Sequence, residues 1–134
     1  MNLVDKLLAL DANEVKQKET AAVEVKRLSK LLGEPFMVKV QAISGQRFQE
    51  LSADILDKKG NVDFSKVYKQ NTLVVLEGIV EPNLKDEGLQ KHFGASTPKE
   101  LAEILFQGGV MANLANTISV ISGFSDDTDE EIKN

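Results

Sequence analysis

Thr97-Pro98-Lys99-Glu100 constrains the fold more than any other stretch of this chain. The threonine hydroxyl can accept from a first-turn amide, and the proline suits the first helical position, where an N–H would be unsatisfied anyway. Glu100 can reach back to the cap amide. A helix therefore starts here, carries Leu101, Ile104 and Leu105 inward, and breaks at Gly108-Gly109. A last helix follows with Val110, Met111, Leu114, Ile118 and Ile121 on one stripe. Gly123 supplies its left-handed C′ residue, and Phe124 folds back as C″.

Upstream, the pattern is mixed. Leu3, Val4, Leu7 and Leu8 recur at helical spacing and predict a short amphipathic helix ending near Asp11-Ala12-Asn13. Two turns are marginal in water, so this helix must dock on its own domain, the favoured arrangement, or on another protein. Residues 14–19 are charged and featureless. Ala22 to Leu28 alternates like a half-buried strand, and Pro35 then directs a second one in which Phe36, Val38 and Val40 share a face. The two pair antiparallel, with residues 29–34 as the connection, and their apolar face needs a helical cover.

Ser44 caps a helix with Phe48, Leu51 and Ile55 on its stripe, which stops before a turn at residues 57–61. Asp63 caps the next, in which Phe64, Val67, Tyr68, Asn71, Val74 and Val75 keep a helical period until Glu81-Pro82. Val74-Val75-Leu76 with Ile79-Val80 also reads as a buried strand, although helix is favoured. Leu84, Leu89 and Phe93 suggest a short helix closed by Gly94. The expected fold is α+β and mainly α-helical: a short N-terminal helix and an antiparallel β-hairpin packed on a bundle of four to five helices. At 134 residues this is a single domain, placed at residues 1–124, followed by a disordered acidic tail at 125–134.

Composition narrows the function. A net charge of −5 disfavours nucleic acid and anionic membranes, and the basic stretches Lys26-Arg27-Lys30 and Lys58-Lys59 are short and interrupted. The absence of cysteine excludes disulfides, thiol catalysis and thiolate metal sites. The first ten residues do not read as a signal peptide, and no run reaches the roughly 20 apolar residues of a membrane span. The expected location is therefore the cytosol.

No catalytic constellation stands out. His92 is the single histidine, without a Ser or Asp at elbow or dyad spacing, so a structural or surface role is expected. Residues 57–63 superficially resemble a calcium loop. With Gly60 as its sixth position, however, Ile55 and Lys66 fall where the first carboxylate and the bidentate Glu belong. Gly108-Gly109 lacks the Lys-Ser/Thr ending of a P-loop. The expectation is a non-enzymatic protein with no catalytic residue, metal or cofactor.

The order of pieces is distinctive: Leu32-Gly33-Glu34-Pro35-Phe36, then Leu76 to Pro82 as Leu-Glu-Gly-Ile-Val-Glu-Pro, then Phe93-Gly94-Ala95-Ser96-Thr97-Pro98-Lys99-Glu100-Leu101, and finally Ile121 to Phe124 as Ile-Ser-Gly-Phe. Over nearly its whole length the chain resembles the XkdN-like tail assembly chaperones of tailed phages and of defective prophages in Bacillus-type bacteria. It departs at Gln107-Gly108-Gly109, where the family has a Pro-Gly-Glu type of helix start, which leaves the onset of the last helix open. The resemblance implies structural roles for Gly33, Glu34, Pro35, Phe36, Gly78, Glu81, Pro82, Phe93, Gly94, Thr97, Pro98, Glu100, Gly123 and Phe124.

The resemblance further implies a chaperone that binds the tape-measure protein, supports assembly of the tail-tube protein around it, and is absent from the finished virion. A chain ending at Asn134 would then be the short form of a frameshifted pair. Leu3, Val4, Leu7 and Leu8 are the candidate partner-binding residues, and self-association is a further expectation. The alternative is a structural tail or neck component of the virion; the second is a small regulatory or nucleic-acid-binding protein.

Overall fold

The computed structural model describes residues 2–124; the expected acidic tail lies outside the described residues. The chain runs α1 (Leu3–Leu8), α2 (Ala12–Lys16), β1 (Thr20–Glu24), α3 (Lys26–Leu32), β2 (Met37–Gln41), α4 (Gly45–Ala53), a 3-10 turn (Phe64–Lys66), α5 (Val67–Gly78), β3 (Ile79–Glu81), α6 (Glu87–His92), α7 (Pro98–Leu105) and α8 (Val110–Ile121). The fold is α+β and mainly helical, with a three-stranded antiparallel sheet in the order β1-β2-β3.

The β1–β2 pairing sets Val23 opposite Val38 and Ala21 opposite Val40. Val38 and Val40 are completely buried because β2 is the central strand and its apolar face is covered by α5 and α8. Those two helices form the main helical contact of the molecule. Val74 and Val75 from α5 meet Met111, Leu114 and Ile118 from α8 in one core, which Leu101, Leu105 and Phe106 extend.

Several expectations change. The strand expected through Leu28 ends at Glu24, and the connection expected at residues 29–34 is largely α3. Val25 is buried, after which Leu28, Leu31 and Leu32 lie at i, i+3 and i+4 among good helix formers. Gly33, at φ +79°, ends α3 in the left-handed region. The Ser29 hydroxyl then accepts from the Phe36 amide at 2.8 Å, which ties α3 to the start of β2.

Next, the helix expected to reach Glu81-Pro82 stops at Gly78, and residues 79–81 add a third strand beside Lys39 and Val40. Pro82 restricts Glu81 to extended backbone, and the free edge of β2 offers it partners. The helical period therefore carried on past the true boundary.

Finally, α1 buries no residue, contrary to the favoured docking on its own domain. A second short helix, α2, occupies part of the segment read as featureless. It is capped by Asp11, whose side chain accepts from the Asn13 amide at 2.8 Å.

The strongest local signal stands where expected. Thr97 Oγ1 accepts from the Glu100 amide at 3.1 Å, while the Glu100 carboxylate accepts from the Ser96 amide at 2.7 Å, one residue before the cap. Replacing Thr97 with alanine is expected to cost about 1 kcal/mol. Urea titration followed by circular dichroism checks this, and an unchanged midpoint would mean that water serves the freed amide equally well.

Candidate functional site

Between α3 and α6 the fold leaves a pocket of about 310 Å³ lined by Leu28, Leu31, Leu32, Phe36, Pro82, Leu89, Phe93 and Leu105. Every lining residue is apolar. The helical period of α3 sends Leu28, Leu31 and Leu32 to one side, and that of α6 does the same for Leu89 and Phe93. Phe36 and Pro82 flank the ends of two strands, where Pro35 and the turn after β3 hold them. Leu31 is 74% exposed and Leu32 59%, so the pocket opens onto an apolar rim rather than closing into the core. Large apolar side chains left in water at one place mark a site of contact with another molecule.

A second apolar surface lies at the N-terminus. Leu3, Val4, Leu7 and Leu8 are between 63% and 78% exposed, and the expected stripe on α1 is present but unpartnered. Its cap is sound, with the Asn2 side chain accepting from the Asp5 amide at 2.8 Å.

The structure brings together residues the sequence left apart. Phe36, Pro82 and Phe93, expected only as structural motif residues, meet in the pocket although they lie far apart in the chain. The others act locally. Gly94 (φ +73°) and Gly123 (φ +91°) close α6 and α8, and Gly78 packs against Ile118. Phe124 stacks on Phe48 of α4, with ring centroids 4.4 Å apart, rather than folding back only on its own helix. Glu81 pairs through its backbone with Lys39, and the Glu34 side chain makes no hydrogen bond among the described residues. Sequence reasoning missed Leu28, Leu31 and Leu32 as site residues. Their i, i+3, i+4 spacing was the available signal, hidden by the strand alternation read across it.

The polar groups are ordinary. His92 is exposed and packs edge-on against Phe93 at 4.9 Å. Asp57 Oδ1 accepts from the amides of Lys59 and Asn61, so this carboxylate organises its own turn. Hydrogen bonds from the Ser65 hydroxyl and amide hold the Asp63 carboxyl below its usual range. Arg47 bridges Glu77 at 2.9 Å and Glu50 at 3.3 Å, which raises the guanidinium pKa further, chiefly through the Glu77 hydrogen bond. Such half-exposed pairs add little stability. Among the described residues no group of three or more His, Asp or Glu is placed to hold a metal ion, and no single helix is long and apolar enough to cross a membrane.

A solved crystal structure, titled as that of the protein YqbN and a structural-genomics target, has the same fold. It aligns with a TM-score of 0.55 at 24% identity, covering 83% of this chain and 92% of that one. No curated protein sequence matches the chain. The profile of the phage XkdN-like tail assembly chaperone proteins matches residues 4–134, nearly the whole length on which the motif order was read. The chain belongs to the family of XkdN-like phage tail assembly chaperones.

Proposed function

We propose that this protein binds the tape-measure protein of a tailed phage or prophage in the host cytosol, keeps it soluble while tail-tube subunits assemble around it, and stays out of the finished virion. It acts by binding, without catalysis. The observation that carries the reading is the all-apolar pocket between α3 and α6 with its exposed leucine rim, in a chain of tail-assembly family. A long helical client exposes apolar stripes, and a groove of this kind takes i, i+3, i+4 anchors from such a stripe. The exposed face of α1 supplies a second grip of the same chemistry. The net charge of −5 would help keep the covered client dispersed.

Co-expression with the tape-measure protein tests both grips. Leu31→Asp puts a charge at the pocket mouth and is expected to lower co-purification about tenfold, the equivalent of roughly 1.4 kcal/mol. Deleting residues 1–10 is expected to do the same while leaving the urea midpoint unchanged, since α1 buries nothing. Unchanged recovery would remove whichever surface was altered. Mass spectrometry of purified particles separates the chaperone from a structural tail or neck component, which would be present there.

A further inference from the structure

We infer that two copies of this chain pair through the outward face of α8 and the amide-lined cleft beside it. Residues 104–124 contain no Asp, Glu, Lys, Arg or His, in a chain that is 28% charged. Part of that stretch is core, but Ala112, Asn113, Asn116 and Val120 of α8 point to solvent, where a helix facing water normally carries charge. Depletion of charge together with exposed aromatics is the signature of an interface centre.

The cleft has a volume of about 420 Å³ between α4, α5 and α8, and Gln70, Asn71, Asn113, Asn116 and Ser119 contribute its polar groups. Within the described residues the carboxamides of Asn71, Asn113 and Asn116 have no hydrogen-bond partner, whereas Gln70 bonds Ser52 at 3.2 Å. Asparagine is a poor helix former, and here it gains no bond within its own helix to offset that. Tyr68 lies one turn before Asn71 on α5 and is 50% exposed; Phe64, one turn earlier, is 83% exposed. The sequence period had placed both aromatics inward, and the structure leaves both exposed.

Charge selects the occupant. The apolar pocket already accounts for an apolar client, and a foreign partner drawn here by the chain's −5 charge would need acidic groups, which this face lacks. A second copy carries the same −5 and is repelled everywhere except across a neutral surface. In a two-fold contact each patch meets itself, so a charge would face its own kind. A carboxamide, being both donor and acceptor, bonds to its own kind. The face shares no residue with the apolar pocket, so both can be occupied at once.

Sedimentation equilibrium on the full chain tests this. A reversible dimer is expected, tightening as salt screens the net charge. Asn113→Asp with Asn116→Asp keeps side-chain shape at exposed positions and is expected to weaken the dimer at least about tenfold, with an unchanged circular dichroism spectrum. Asn113→Lys with Asn116→Lys is expected to be monomeric alone and to pair with the aspartate variant on mixing. A wild-type chain that stays monomeric at about 0.5 mM, or a dimer indifferent to the aspartates, overturns the inference.

Discussion

Phe106→Ala is expected to destabilise the fold by about 3–5 kcal/mol, a large part of the roughly 5–15 kcal/mol that holds a domain of this size together. Phe106 is 1% exposed and is the bulkiest of the fully buried side chains. It sits where α7 stops, with its amide still bonded to the Ala102 carbonyl at 2.8 Å, just before the chain turns by 110° into α8. The ring is buried at the turn between two helices that both pack on α5. That leaves the cavity little freedom to collapse. Urea titration gives the loss directly, and thermal melting should fall by roughly 10–20 °C. A change under about 1 kcal/mol would mean that the surrounding core closes over the space the ring leaves.

Gly78→Ala is expected to destabilise by about 1–3 kcal/mol, where helix propensity alone predicts a gain of up to about 1 kcal/mol. A Cβ on Gly78 would meet Ile118 Cδ1 at 2.7 Å and its Cγ1 and Cγ2 at 3.0 Å. Ile118 is fully buried, so the close approach of α5 to α8 depends on the missing methyl. Ile118→Val removes Cδ1, the atom nearest the new Cβ. The double variant should therefore be less destabilised than the two single changes added together, by about 0.5–3 kcal/mol. Simple additivity in urea titrations, or a stabilised Gly78→Ala, would show that the two helices separate at no cost.

Both residues mark what a linear reading could reach. Phe106 stands beyond the last helical position of α7, off the Leu101, Ile104, Leu105 stripe, and periodicity cannot assign a residue outside its element. Gly78 belonged to a recognisable family motif, but a short contact between helices leaves no trace in local spacing. The same limit explains the misplaced elements. Residues 22–28 satisfy strand alternation and, from Leu28, helical spacing as well; the register of β1 on β2 decides where one gives way to the other. Ile79 and Val80 became strand because β2 had an edge to fill. Leu3, Val4, Leu7 and Leu8 were legible as an amphipathic stripe, yet only the fold could show that the core has no place for them.

What the sequence determined by itself is carried by groups within about four residues of one another: the caps at Ser44, Asp63 and Thr97, the left-handed glycines at 94 and 123, and the mainly helical α+β class. Those interactions are short-range, so composition and spacing suffice. The pocket assembled from Phe36, Pro82, Phe93 and the α3 leucines, the third strand, and the cleft that sets α8 beside Gln70 and Asn71 were decided by tertiary structure. Each joins residues distant in the chain, and burial, which depends on the whole packed molecule, chooses which apolar side chains become core and which remain available to a partner.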